Sequence, residues 1–224
     1  MSGYTVHYLD NSRAHRVLWL LEELGLDYAV KTYPRGKNMR APAALKALHP
    51  LGKSPIVETP FGVLAESGAI LEELCLRHPD SGLAPADPLG DDARAYRYWM
   101  HAAEGSVMPL LVNKLIFSMI PKNVPWIMRP IGKGISNGLM KTVTDPGLSD
   151  QLSLWAATLS ETAYFAGDHF TAADIQMSYP VDAMLSRMPP NPVPEALTRW
   201  HSAVQSRPAY QRALERGGRY DFAS

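Results

Sequence analysis

Apolar positions follow two periods, and each keeps to its own half of the chain. Up to residue 77 short alternating or fully apolar runs are interleaved with 3.6-residue patterns, which predicts strands at 4–9, 28–33, 55–58 and 63–65 and helices at 12–24, 42–48 and 67–77. The order is β-α-β-α-β-β-α. The first helix joins two strands that must then run parallel, and "TPFG" (59–62) turns the last two into a hairpin. Past residue 91 the strand signals vanish, and helical spacing predicts helices at 91–118, 132–143, 148–163, 172–187, 195–206 and 208–216, interrupted by "PKNVP" and "MPPNPVPE". Between the halves lies "PDSGLAPADPLGDD" (79–92), rich in Pro and Gly and without period, the best linker in the chain. The expected organisation is an α/β domain over 1–80, a linker over 81–90 and an all-α domain over 91–224.

A chain of 224 residues with 46% hydrophobic content suits one or two globular domains. Lys+Arg and Asp+Glu both number 22, and no basic tract exceeds a pair of residues, which argues against nucleic acid as a partner. The single Cys75 cannot form an internal disulfide, and Met1 opens directly onto a strand-like segment; both point to a reducing, cytoplasmic location. The most apolar run, "VMPLLVNKLIFSMI" (107–120), is shorter than the roughly 20 residues a spanning helix needs, so no transmembrane segment is expected. It reads as a buried helix segment, or else as an apolar pocket wall or membrane-surface contact.

Candidate chemistry gathers at the ends of the predicted elements. "YLDNSRAHRVLWLLEELGL" (8–26) places Asn11, Ser12 and Arg13 at the mouth of an amphipathic helix, where they either cap the first turn or hold an anion there. In "LGKSPIVE" (51–58) a strand begins at Pro55; a cis Ser54–Pro55 bond would leave the Ser54 N–H and C=O free to pair with an extended peptide. In "LAESGAILEEL" (64–74) Glu66 offers an acceptor for an ammonium, while Ser67, placed as a partial N-cap, and the first-turn N–H groups offer donors for a carboxylate. Together they fit an α-amino-acid head group. Thr171 and Asp174 in "GDHFTAADIQMSYPV" form a capping box, read as structural. The seven histidines lack metal-ligand spacing, so no metal site is expected, and hydrolase elbows, Walker loops and dinucleotide fingerprints are absent.

Strand, N-S-R helix, G-K-S-P strand, E-S-G helix, linker and an all-helical half with a T-x-x-D box: across essentially the whole chain this order resembles the cytosolic glutathione transferases. "YLDNSRAHRVLWLLEELGLDY", "RAPAALKALHPLGKSPIVE", "LAESGAI" and "AAEGSVMPLL" look most like a theta-like fungal and bacterial branch. The resemblance implies a thioredoxin-like N-terminal domain that binds glutathione as co-substrate, and a helical domain that walls in a small hydrophobic electrophile or a peroxide. Carried over by position, Glu66 and Ser67 take the γ-glutamyl end, Ser54 before a cis-Pro55 pairs with the cysteinyl unit, and Lys53 reaches the glycyl carboxylate. Arg40, in the irregular stretch that also holds Arg35 and Lys37, is a second cation for that end. The sulfur arrives at residues 11–13, with Ser12, then Asn11, then Tyr8 ranked as its partner, and no cysteine stands there.

In related enzymes the first long helix of the second domain faces the sulfur. Here "YWMHAAEGSVMPLLV" (98–112) sets Glu104, Gly105, Met108 and Val112 on one face, with Pro109 bending the helix and Glu104 turned toward an arginine or solvent or serving a water network. The resemblance also implies a homodimer through "SGAILEELCLRH" and the start of that long helix. Two alternatives keep the same fold: a non-catalytic glutathione- or ligand-binding protein, and a glutathione-dependent disulfide reductase in which a second glutathione supplies the attacking thiol.

Overall fold

Short β-branched and aromatic runs in the first third of the chain form a four-stranded sheet, and the Gly- and Pro-rich breaks between them set its edges. The structure, a computed structural model, describes residues 3–36, 41–187 and 192–222. Strands β1 (Tyr4–Leu9), β2 (Tyr28–Tyr33), β3 (Ile56–Thr59) and β4 (Gly62–Ala65) lie in the order β2-β1-β3-β4. β1 and β2 run parallel with Val6 opposite Val30, and β3 runs antiparallel to both β1 and β4 with Val57 opposite Val6 and Leu64. Gly62 takes φ 128° at the hairpin turn, a conformation that a side chain would oppose.

Helices α1 (Ala14–Glu23) and α2 (Ser67–Arg77) complete the predicted first domain. The segment predicted as a helix at 42–48 is a single 3-10 stretch, Ala43–Ala47, too short for α-helical hydrogen bonding to propagate after Pro42. The helical half follows as α3 (Asp91–Ala102), α4 (Met108–Met119), α5 (Arg129–Leu139), α6 (Asp145–Glu161), α7 (Ala172–Arg187), α8 (Glu195–Gln205) and α9 (Pro208–Arg216). The predicted helix at 91–118 is continuous but widens into a π turn over Ala103–Val107. In a regular helix the Pro109 ring would meet the carbonyl of Gly105, and the wider turn relieves that clash.

α7 is the axis of the molecule, buried from Ala172 to Met184. Its start is the expected box: Asp174 Oδ2 accepts from the Thr171 N–H at 2.9 Å, and its Oδ1 accepts from Phe165 N–H and Trp200 Nε1 at 3.0 and 2.8 Å. The two halves share one core, since α1 packs on both α7 and α9. Bidentate Arg207–Glu23 bonds of 2.6 and 2.8 Å, together with Arg212 and Arg216 on Glu22, fix α9 along α1.

Candidate functional site

The β1–α1 turn brings its polar residues to the domain junction by a reversal at Asn11, whose φ of 52° lies in the left-handed region that Asn tolerates better than most residues. Ser12, nearly buried, follows it and caps the helix as expected: its Oγ accepts from the Ala14 N–H at 3.2 Å. The same Oγ lies 3.2 Å from Ser54 Oγ. Ser54 has one hydroxyl proton, and it is directed to the His7 carbonyl at 2.9 Å, while the Leu9 N–H donates to its oxygen at 3.2 Å. The Ser12 proton therefore points at Ser54, and it is the one hydroxyl proton of this pair that can turn to an incoming acceptor.

Asn11 plays a different part from capping. Its Nδ2 donates to Asp221 Oδ2 at 2.9 Å, its Oδ1 accepts from the Asp221 N–H at 2.7 Å, and its own N–H donates to the Arg219 carbonyl at 2.7 Å. The C-terminal tail is thus sewn to the turn. Arg35 braces the turn from the other side, donating to the carbonyls of Asp10 and Asn11 at 2.8 and 3.0 Å. Tyr8 stands apart from both: its side chain is fully buried against Gly217 and Gly218, it lines neither cavity described below, and burial pushes its phenol far up.

A cavity of about 220 Å³ collects the remaining first-domain candidates: Lys53, Ser54, Pro55, Glu66 and Ser67, with Arg13 and Glu104 at one side. The Ser54–Pro55 bond is cis. Glu66 has φ 73° and ψ 117°, an unfavourable backbone for a non-glycine residue, and this kink turns the chain from β4 into α2. Ser67 is accordingly the first residue of the helix rather than the expected N-cap, and its buried Oγ accepts from Arg16 Nη1 at 3.3 Å. Arg40 and Lys37 lie outside the described residues.

Between the halves stands a cluster that the sequence did not announce. Glu104 Oε1, on the π turn, accepts from Arg13 Nε at 2.7 Å and from Arg16 Nη1 at 2.5 Å, and both guanidinium groups lie over the Tyr179 ring at 5.1 and 5.2 Å. Burial pushes the Glu104 carboxyl up, but the two arginines outweigh it and hold the group at about 2. Arginine pairing was one of the expected fates of Glu104. Arg13 and Arg16 thus share the Glu104 carboxylate beside the first turn of α1, while Glu66 acts on Arg13 and Asp182 on Arg16 through space.

Arg13 also lines a second cavity of about 600 Å³, so it stands between the two spaces. Met108 and Val112 line this larger cavity, joined by Leu111, Tyr179 and Phe222. Gly105 lines neither. Tyr179 and Phe222, whose rings meet edge to face at 5.3 Å, were missed because nothing in their local sequence distinguishes them from core aromatics. Arg16 carried a readable signal: an arginine on the apolar face of a helix needs a buried carboxylate.

A sheet with this order, a cis-proline beside a serine pair and a helical half closing a second cavity define a glutathione S-transferase fold. The family model "Glutathione S-transferase, N-terminal domain" matches residues 1–74, and "Glutathione S-transferase, C-terminal domain" matches residues 107–208. Glutathione S-transferase 3 of Schizosaccharomyces pombe is 35% identical over 215 residues, covering 94% of this chain and 86% of its own. The chain belongs to the glutathione S-transferase family. Among solved structures, a glutathione S-transferase from Actinobacillus pleuropneumoniae is similar at a TM-score of 0.76 and 29% identity, covering 98% of this chain and 95% of its own. The theta class glutathione S-transferase from Xanthomonas axonopodis pv. citri, solved with glutathione bound, shares the fold at a TM-score of 0.72 and 23% identity over 96% of this chain and 98% of its own.

Proposed function

We propose that this chain is a glutathione transferase whose bound thiolate attacks a small hydrophobic electrophile, with peroxide reduction as a second reaction of the same thiolate. The observation that carries the reading is the junction at Arg13, where a small polar cavity and a larger apolar one meet beside the Ser12–Ser54 pair. Glu66 and Ser67 take the γ-glutamyl ammonium and carboxylate, Ser54 before Pro55 pairs with the cysteinyl backbone, and Lys53, with Arg40, takes the glycyl carboxylate. Residues 1–80 then hold glutathione, 81–90 link, and 91–224 wall in the second substrate.

Thiolate formation is the first step. A free thiol ionises near 8.5, and lowering this by about two units needs roughly 2.7 kcal/mol in favour of the anion. A hydroxyl donor to a charged acceptor supplies about 1.5–3 kcal/mol, and a helix N-terminus about 0.3–1. Ser12 donating its O–H hydrogen bond to the sulfur anion instead of to Ser54, with the Arg13 guanidinium at the junction, meets that requirement. The thiol proton passes to water, and the sulfur lone pair then forms the bond to the electrophilic carbon as the leaving group departs with its electrons, or bonds to one oxygen of a peroxide as the O–O bond breaks and the other oxygen leaves as alkoxide or hydroxide, giving a sulfenic acid that a second glutathione converts to the disulfide with release of water. Cys75 takes no part: burial pushes its thiol up to about 12.

The direct test is the thiolate absorbance of glutathione bound to the protein, followed through a pH titration. An apparent pKa well below 8.5 is expected, and an unshifted thiol overturns the mechanism. Tight glutathione binding without turnover of electrophiles, peroxides or glutathione disulfides would instead establish the ligand-binding alternative. The chain acts as a cytoplasmic homodimer joined through α2 and α3, where Leu76 and Tyr98 stand exposed. Light scattering should give twice the 24.7 kDa chain mass at micromolar concentration, and a single-chain mass refutes the dimer.

A further inference from the structure

The far end of the helical half presents an apolar surface with one sign of charge. Trp126 is 77% exposed, and Ile127, Ile131 and Ile135 recur every fourth residue at 70%, 60% and 53%. These residues face outward because α5 packs with its other side. Ser136 Oγ donates to the Phe117 carbonyl at 2.8 Å, and Gly132 lies so close to Val124 that an added Cβ would stand 3.2 Å from its Cγ2. The stripe is therefore not a misplaced core face. On α4 Ile116 and Met119 extend the exposed apolar area, and Val112 and Leu115 beside them line the larger cavity.

The charges in this stretch of sequence are all positive. No Asp or Glu occurs between Glu104 and Asp145, whereas Lys122, Arg129, Lys133 and Lys141 lie in this stretch and are exposed. None of these four forms an ion pair with the described residues; Lys114, the other cation of the stretch, is neutralised by Asp145 at 2.7 Å. A near-zero net charge over the whole chain thus conceals a strongly cationic segment. Aliphatic and Trp side chains flanked by Lys and Arg, with no acidic residue, are what lie down in the headgroup region of an anionic bilayer.

We propose that this α4–α5 face docks the protein on an anionic lipid surface. The continuous helical run Asp91–Lys122, which ends at this face, is apolar and long enough to cross a membrane by length and composition, and only 22% of its most apolar window is buried. A second copy of the chain is the poorer occupant. A twofold contact through this face would set four unpaired cations against four, with no carboxylate in the stretch to answer them. The docking is independent of the glutathione reading, because it uses none of the residues assigned to the thiol or its peptide.

Flotation of the full chain with vesicles tests it, comparing phosphatidylcholine alone with mixtures in which phosphatidylserine is about a third of the lipid. Binding to the serine-containing vesicles that weakens in high salt is expected. Arg129→Glu with Lys133→Glu should lower it about tenfold or more, and Ile127→Ser with Ile131→Ser should lower it while leaving the thermal melt and glutathione affinity unchanged. Failure to float at low salt overturns the proposal. So does flotation of both double variants equal to that of the unaltered chain, or an oligomer that the Ile127→Ser, Ile131→Ser chain loses.

Discussion

Arg16, whose side chain has no exposed surface, places Nη1 2.5 Å from the Glu104 Oε1 across 88 residues of sequence. Its Nε and Nη2 are buried with no hydrogen-bond partner among the described residues, so Glu104 and the Ser67 hydroxyl are the groups that accept hydrogen bonds from it, with the Tyr179 ring face at 5.2 Å. Removing one partner of a buried pair costs about 3–5 kcal/mol, and partial exposure of Glu104 puts the value at the lower end. Glu104→Ala should therefore lower unfolding stability in urea by ~3 kcal/mol. Arg16→Met added to it should restore much of the loss, since the stranded charge is then gone.

The same pair sets an acid dependence. A folded carboxyl held at about 2 against an ordinary 4.5 contributes stability that is fully present above the unfolded value and is lost as pH falls toward the folded one. The melting temperature of the native chain should fall between about pH 5 and 2 more steeply than that of Glu104→Gln. Parallel curves for the two proteins would show that the arginines do not hold the carboxylate.

Glu66 is the residue at which stability and binding should separate. Its positive φ costs about 1–3 kcal/mol, and glycine relieves that strain while adding about 0.5–1 kcal/mol of backbone entropy cost. Glu66→Gly should thus melt a few degrees higher, by roughly 2–4 °C per kcal/mol gained in a chain of this size. It should also bind glutathione at least about tenfold more weakly, having lost the acceptor for the ammonium. Glu66→Gln keeps the backbone strain and serves as the control in calorimetry of both properties.

The fold was readable because its determinants are local. The alternation in 4–9, the proline-rich break at 79–92 and the Thr171–Asp174 box each act over a few residues, and the elements lie where those patterns put them. The site was readable only as far as its motifs: Lys53, Ser54, Glu66 and Ser67 converge on one cavity, as adjacent pairs on two strand ends can. The arginine–glutamate cluster and the grip of Asn11 on Asp221 join positions 88 to 210 residues apart, and no period or spacing encodes such a contact. The surroundings of Tyr8 were unreadable for a related reason. Alternation along a strand gives the face of a side chain but not which neighbour covers that face, and here the tail at Gly217 and Gly218 covers it.

Ser12 and Ser67 should fail in different ways. Ser12→Ala removes a donor to sulfur without touching the peptide contacts, so the bound thiol should ionise about 1–2 pH units higher while glutathione affinity at low pH stays nearly constant. Ser67→Ala should weaken glutathione about tenfold and leave the ionisation of bound thiol in place. Asn11→Ala should loosen the tail. If it, rather than Ser12→Ala, moves the thiol pKa, the order of the two residues at sulfur is reversed.

The walls of the larger cavity should set the preference among electrophiles. Met108 and Phe222 approach it from opposite ends of the helical half, one from α4 and one from the tail that Asn11 and Tyr220 anchor through Asp221 and Asp182. Thioether and ring offer apolar contact with little directional demand, so truncation changes the fit of bulky substrates more than it changes chemistry. One lost methylene contact is worth about 1–3 kcal/mol, which predicts that Met108→Ala and Phe222→Ala reorder a series of electrophiles by roughly tenfold in kcat/KM. Glutathione KM should hold, because neither residue lines the smaller cavity. Kinetics varied separately in each substrate decide the point: a Met108→Ala enzyme that loses glutathione and keeps its ranking of electrophiles would place Met108 at the wrong site.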